Sequence, residues 1–391
     1  MDNIADLRAA AILLAGVDPT LPEDDLTPLL ERLAEARLIG LGEATHGDHE
    51  SFAFKRRLIQ ALVRRHACDV VIFERNAAEI DAYDRYVAGV SQVFSMGGDL
   101  YPWRTEEVRD LFVWLREWNA SGHQVRIAGM DMQSPKGLPL ALQLLDEAGI
   151  AAPAEWRRLA AEVGEHQRNL GWLEAALATW RATASPPLDP TDPQQRWIAL
   201  LAATFGQWLE TWPCWLRHDS SQYHDMRNRS MAENTLAQLD RLGSPTKAVI
   251  WAHNFHVWLG PGNVGVHLRT RLGPAYQVVG FAFGRGEVNA GSSKVNAETQ
   301  LPEGPLDWTL RPHITDPPPP ESMEHLLDQL DLECYAVSPA EVASLRRPLW
   351  AREIGAVVVE NLDQFSHDQP APADVYDLLV YFRQVRPSRL L

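Results

Sequence analysis

Cysteine, lysine and long apolar runs are what this chain has least of. Its three cysteines, Cys68, Cys214 and Cys334, are far apart and form no CxxC pair. Neither a disulfide framework nor a thiolate zinc site fits them, and that usage points to a reducing compartment, so a cytoplasmic location is expected. No run of about eighteen apolar residues occurs, as a membrane-spanning helix would need. Near the N-terminus the stretch 9–14 is apolar, but Asp2, Asp6 and Asp18 flank it and no basic stretch precedes it. An amphipathic helix is expected there rather than a signal peptide. Lys55, Lys136, Lys247 and Lys294 are the only lysines, and the formal charge is −16. So acidic a balance argues against a nucleic acid or an anionic membrane surface as partner.

Several chemical signatures are missing too. There is no G-x-S-x-G nucleophile elbow, no phosphate-binding G-x-x-x-x-G-K-[ST], no strand-linked G-x-G-x-x-G and no H-E-x-x-H. The cysteines have no adjacent base, so a thiol nucleophile is not expected.

What is present is a globular composition, 46% hydrophobic and 23% charged over 391 residues. Short apolar, β-branched runs recur at 38–41, 70–73, 125–128, 248–251, 276–282, 334–337, 356–359 and 378–382. Several are continuously apolar, as in strands covered on both faces. Helical patterns lie between the early runs, at 51–65 with Asp48 as N-cap and at 106–119 with Thr105 in that role. The expected fold is therefore α/β, a mostly parallel sheet layered with helices. Residues 139–242 are rich in Ala, Leu, Trp, Arg and Glu with few β runs. They predict two to four long helices in an inserted helical subdomain, leaving 1–138 and 243–391 to form the α/β core with the cleft. The proline-rich 314–320 predicts an exposed extended loop.

Five segments concentrate histidines, acids or glycines at predicted strand ends. They are Gly42-Glu43-Ala44-Thr45-His46-Gly47, Phe73-Glu74-Arg75, Gly129-Met130-Asp131, Ala252-His253-Asn254-Phe255-His256 and Gly280-Phe281-Ala282-Phe283-Gly284. Acids at single strand ends are common helix caps. A succession of parallel strands ending this way converges on one crevice and reads as an active site. Glu43 and His46, three residues apart between glycines, suit a carboxylate-oriented general base. The chemistry left standing is water activated either by histidine or by a metal bound to Glu43, His46, Glu74, His253 and His256. Metal-free base catalysis is the expected one, because the Glu-x-x-His of di-iron proteins lies within paired helices and not after a strand. Arg75 is expected to pair with its neighbour Glu74, and Trp251 and Trp258 to line the cleft.

These motifs, with Pro102-Trp103-Arg104-Thr105-Glu106-Glu107-Val108 and Met231-Ala232-Glu233-Asn234, occur in the order found in the erythromycin esterase family, which the chain resembles over about 36–383. The resemblance implies hydrolysis of a macrolide lactone by histidine-activated water, without a cofactor or obligatory metal. It implies His46 as base, Glu43 as its partner and Glu74 as a second carboxylate holding His or water. His253 and His256 would polarise the carbonyl or protonate the leaving alkoxide. Lys55, Trp103, Asp131, Arg227 and Glu233 would contact substrate, Lys55 from the first turns of its helix. Where the family usually has Arg-Asp, this chain has Arg227-Asn228, a lost carboxylate that bears on macrolide recognition. A metal-dependent hydrolase and a non-catalytic small-molecule binder are the alternatives.

Overall fold

The apolar runs become strands because a sheet with helices on both faces rewards side chains that are apolar on each side. In the computed structural model, which describes residues 3–97, 101–243, 247–294, 306–359 and 364–391, twelve strands are present. They are β1 (Ile12–Leu13), β2 (Leu38–Leu41), β3 (Cys68–Asn76), β4 (Arg126–Asp131), β5 (Lys247–Trp251), β6 (Tyr276–Ser293), β7 (Asp307–Ile314), β8 (Cys334–Val337), β9 (Ala351–Arg352), β10 (Val357–Val359), β11 (Phe365–Ser366) and β12 (Leu378–Val385). The main sheet runs β1-β8-β12-β6-β2-β5-β3-β4. It is parallel from β12 to β4, with β8 and β1 antiparallel at one edge. The fold is α/β, as expected.

Alternation along β3 shows how two cores form. Val71 and Phe73 join Phe52, Leu58, Leu62, Leu111 and Leu115, from the helices His49–His66 and Glu106–Ala120, on one face. Val70 and Ile72 pack with Met231, Leu239, Val264 and Leu268 on the other. Asp48 and Thr105 cap those first two helices as the sequence predicts, accepting the Ser51 and Val108 N–H groups.

Between β4 and β5 the chain makes five helices, Gly137–Glu147, Ala154–His166, Leu170–Ala182, Pro193–Leu216 and Ser220–Leu242, against the two to four expected. Loops at 148–153 and 167–169 divide what composition alone reads as continuous. A third cluster holds the first four together, including Leu138, Trp156, Leu173, Leu201, Phe205 and Trp208. The last of the five instead lays Met231, Ala232 and Leu239 on the sheet, which carries Arg227 over the end of β4.

Three further expectations need correction. The N-terminal helix is Asn3–Ala10, and Ile12–Leu13 is the short edge strand β1, so 9–14 is not one helix. Gly280–Gly284 is not a strand end, because β6 continues to Ser293. Its far half pairs with β7 and β10, and there the polar residues Glu287, Asn289, Ser292 and Ser293 interrupt the apolar run and mask the strand pattern. β7 was not expected at all, for the same reason. Of the expected loop 314–320, Ile314 ends β7 and 315–319 are irregular, with Asp316 and Pro317 exposed but Thr315 buried. Among the described residues no helix is long and apolar enough to cross a membrane.

Candidate active site

Strand register assembles the site. Leu41 and Phe73 both align with Trp251 of β5, so β2 and β5 end level with Phe73, while β3 runs on past an irregularity to Asn76. The residues that follow, Glu43, His253 and Glu74, therefore meet above the sheet edge. Tight packing shapes the turn after β2. A Cβ on Gly42 would sit 2.0 Å from Asn254 Oδ1, and one on Gly47 would sit 1.8 Å from the Asn289 carbonyl oxygen. Gly47→Ala is expected to cost about 1–3 kcal/mol through this overpacking. Thermal melting would register it as a lowered Tm, and an unchanged Tm would refute this account of the turn. The Asn254 side chain bonds both the N–H (3.1 Å) and the carbonyl (2.7 Å) of Phe281, locking the segment after β5 onto β6.

Glu43 is fully buried and accepts three charged or polar donors. His46 Nδ1 lies 2.5 Å from Oε1, Trp103 Nε1 3.0 Å from the same oxygen, and Lys55 Nζ 2.5 Å from Oε2. Burial works to raise the Glu43 pKa, but the Lys55 ammonium, followed by His46, holds it below the ordinary value. An ionised carboxylate can only accept, so the neutral His46 ring carries its proton on Nδ1 and its lone pair on Nε2. Lys55 is therefore not a substrate contact: it is fully buried behind Glu43, with Nζ 4.7 Å from the Trp251 ring centre.

A second buried ionic group stands beside it. Arg227 Nη2 binds Glu74 Oε1 (2.8 Å) and Asp131 Oδ2 (2.7 Å), and its Nη1 meets His256 Nε2 at 3.0 Å. Glu74 also accepts the His253 backbone N–H at 3.0 Å and approaches His256 Nε2 at 3.1 Å. Burial would raise the Glu74 pKa, yet His256 and Arg227 hold it well below the usual carboxylate value. Glu74 does not pair with Arg75, whose partner is Glu79 at 3.1 Å. Adjacent residues of an extended chain point to opposite sides. Asn228 lies buried behind His256 and accepts its Nδ1–H at 2.7 Å. The substitution thus acts on His256.

His253 is held neutral. Its Nδ1 accepts the Phe255 N–H at 3.2 Å, which places the ring proton on Nε2, 3.4 Å from the Ala44 carbonyl. Burial, and then the nearby His46, lowers its pKa to about 3. The His46 and His253 ring centres are 5.1 Å apart.

These groups open on a cavity of about 770 Å³. Of the residues expected at the site, His46, Glu74, Trp103, Arg227, His253 and His256 line it. Glu43, Lys55 and Asp131 stand behind that lining, and Glu233 is exposed elsewhere on its helix. Trp251 is fully buried, stacked on Phe73, and Trp258 lines a smaller adjoining cavity. His49 pairs with Glu107 at 2.6 Å, away from the lining. Sequence reasoning missed Tyr101, His224, Trp308 and Glu353, all cavity residues. Only His224 had a usable signal, its position one helical turn before Arg227. A cavity of similar size, about 710 Å³, lies beside the Asp84–Arg126 ion pair and is lined by no histidine among the described residues. Chemistry, not volume, distinguishes the two.

Fold and site together define a class: α/β proteins that present a carboxylate-oriented histidine at the carboxyl edge of a parallel sheet. The chain belongs to the erythromycin esterase family, whose sequence profile matches residues 63–385. Glu43 and His46 precede that span. The Bacillus subtilis protein named "Putative hydrolase YbfO" is 23% identical over 94% of this chain and 88% of its own. The crystal structure of a succinoglycan biosynthesis protein superposes with a TM-score of 0.80 at 18% identity, covering 100% of this chain and 98% of its own. A mutant of erythromycin esterase EreC, in its open conformation, gives 0.65 at 15% identity over 96% and 97%. At such identities the structures share the fold.

Proposed function

We propose that this protein hydrolyses a carboxylic ester, a macrolide lactone above all, by water activated on His46. The observation that carries the reading is the His46–Glu43 pair at 2.5 Å, braced by Lys55 and Trp103 and facing the cavity. Glu43 holds the Nδ1 proton, so Nε2 takes a proton from water and the carboxylate stabilises the resulting imidazolium. Hydroxide then attacks the ester carbonyl, and the alkoxide leaves without a covalent enzyme intermediate. The His253 Nε2–H and the Arg227–His256 group are the donors placed to stabilise the oxyanion, a contribution of about 3–4 kcal/mol for a well-aimed donor. Trp103, Trp215, Trp308, Tyr101 and Phe255 offer aromatic walls to a large, mostly apolar substrate.

Glu43 and Glu74 are already neutralised by the buried cations Lys55 and Arg227. That supports histidine-activated water over a metal-bound one, because ligation would have to displace those cations. The test is mass spectrometry of a macrolide panel incubated with metal-analysed protein. A gain of about 18 mass units, one water, is expected from ester hydrolysis. Unchanged macrolides with turnover of other esters would overturn the substrate. Loss of turnover to a chelator would overturn the metal-free mechanism, and a bound compound recovered intact would make the cavity a binding site.

A further inference from the structure

Ester hydrolysis needs an acid as well as a base, since an alkoxide leaves readily only with a proton. Most groups lining the cavity are unsuited to supply it. His46 is the base. His253 is neutral, and a neutral imidazole N–H can bond an oxyanion but does not readily give up its proton. Glu74 is ionised and accepts from Arg227 and the His253 N–H, and Arg227 is clamped by two carboxylates. Glu353 differs from all of these. It lines the same cavity as His46, and also the small one behind His253, of about 20 Å³, room for one water. Its carboxylate has no ion pair among the described residues and meets only the Gln369 amide, at 3.4 Å.

The backbone places it beside the reacting groups. The Ala44 carbonyl, already approached by His253 Nε2, also accepts the Ile354 N–H at 3.4 Å, and Thr45 Oγ1 bonds the Gly355 carbonyl at 3.5 Å. The segment is held from behind. Arg352 donates to the Gly284 and Asp316 carbonyls, and Glu353 N–H donates to Gln364.

We propose that Glu353 is the general acid that protonates the leaving oxygen, an assignment that rests on the ester-hydrolase reading above. As the tetrahedral intermediate collapses, the carbonyl carbon–alkoxide bond breaks and its electron pair stays on the leaving oxygen. The Glu353 carboxyl proton moves to that oxygen, giving the free alcohol. The newly formed carboxylic acid returns its proton to Glu353 and departs as a carboxylate, while the proton on His46 passes to solvent. Although Glu353 is open to the cavity, surrounding protein partly desolvates it and raises its pKa, which favours the protonated form the step requires.

The experiment compares native protein with Glu353→Gln on ethyl butyrate and p-nitrophenyl butyrate, which share an acyl group. The phenolate leaves without help, the ethoxide does not. Glutamine matches glutamate in shape, so the fold is kept. The expected result is a loss of kcat on the ethyl ester of about 10²-fold or more, far exceeding the loss on the p-nitrophenyl ester, with the alkaline fall in the ethyl-ester rate abolished. Equal losses on the two esters, or no loss on either, would overturn the acid role while leaving the hydrolase standing. Failure of the native protein on both esters, and on the macrolide panel, would overturn the hydrolase reading and this assignment with it.

Discussion

Replacing His46 by asparagine is expected to lower turnover by about 10²–10⁴-fold, the usual worth of a positioned general base. Asparagine can still meet Glu43, but its amide has no lone pair basic enough to take a proton from water. The residue is nearly buried at the cavity wall, 8% exposed. The substitution removes a ring whose Nδ1 bond to Glu43 is its principal polar contact. Glu43 keeps Lys55 and Trp103, so the turn retains its other anchors. Steady-state kinetics alongside a thermal melt would separate the two effects. A variant with native Tm and turnover within a few-fold of native would remove His46 as the base.

The second large effect is one of stability. Arg227→Met should destabilise the fold by about 3–5 kcal/mol, the range for breaking a buried ion pair from one side. The guanidinium is the cation shared by Glu74 and Asp131, with Nε 3.2 Å from both Asp131 oxygens in addition to the Nη2 contacts. Its removal strands two carboxylates that are each almost wholly buried.

The deficit has a pH signature. The folded-state pKa of Glu74 is depressed, so its ionised form contributes stability above its ordinary value of 4.5. That contribution is lost as pH falls through the folded value. Without Arg227 the carboxyl keeps its proton to higher pH. The gap between native and variant should therefore be widest near neutrality and narrow in acid. Urea denaturation across that range measures it. A gap that is small at neutral pH, or that widens in acid, would show that the charge cluster does not hold this part of the fold together.

Much of the site was legible because it is written in short segments at strand ends. GEATHG and AHNFH each sit where a parallel strand stops, Phe73-Glu74 sits where β3 stops pairing with β5, and the end of each apolar run makes those places visible. Contacts that join distant segments were not legible. Lys55 read as a cleft residue because it follows His46 by a short helical stretch, yet the helix turns it under the sheet edge to Glu43. Arg75 read as the partner of Glu74 by adjacency, yet the true cation, Arg227, arrives 153 residues later in the chain. Glu353 and Trp308 carry no local pattern at all. They reach the cavity because β6 runs past the sheet and gathers β7 and β10 beside it.

The sequence by itself determined the α/β class, the strand ends that carry chemistry and the family, since each depends on periodicity or on motifs a few residues long. Only the tertiary structure decided which charges neutralise which, which side of each helix meets the cavity, and that Glu353 lines the same cavity as the histidines. Those outcomes depend on register and packing between segments far apart in the chain, where the low dielectric of the buried site makes every pairing count and local sequence has no say.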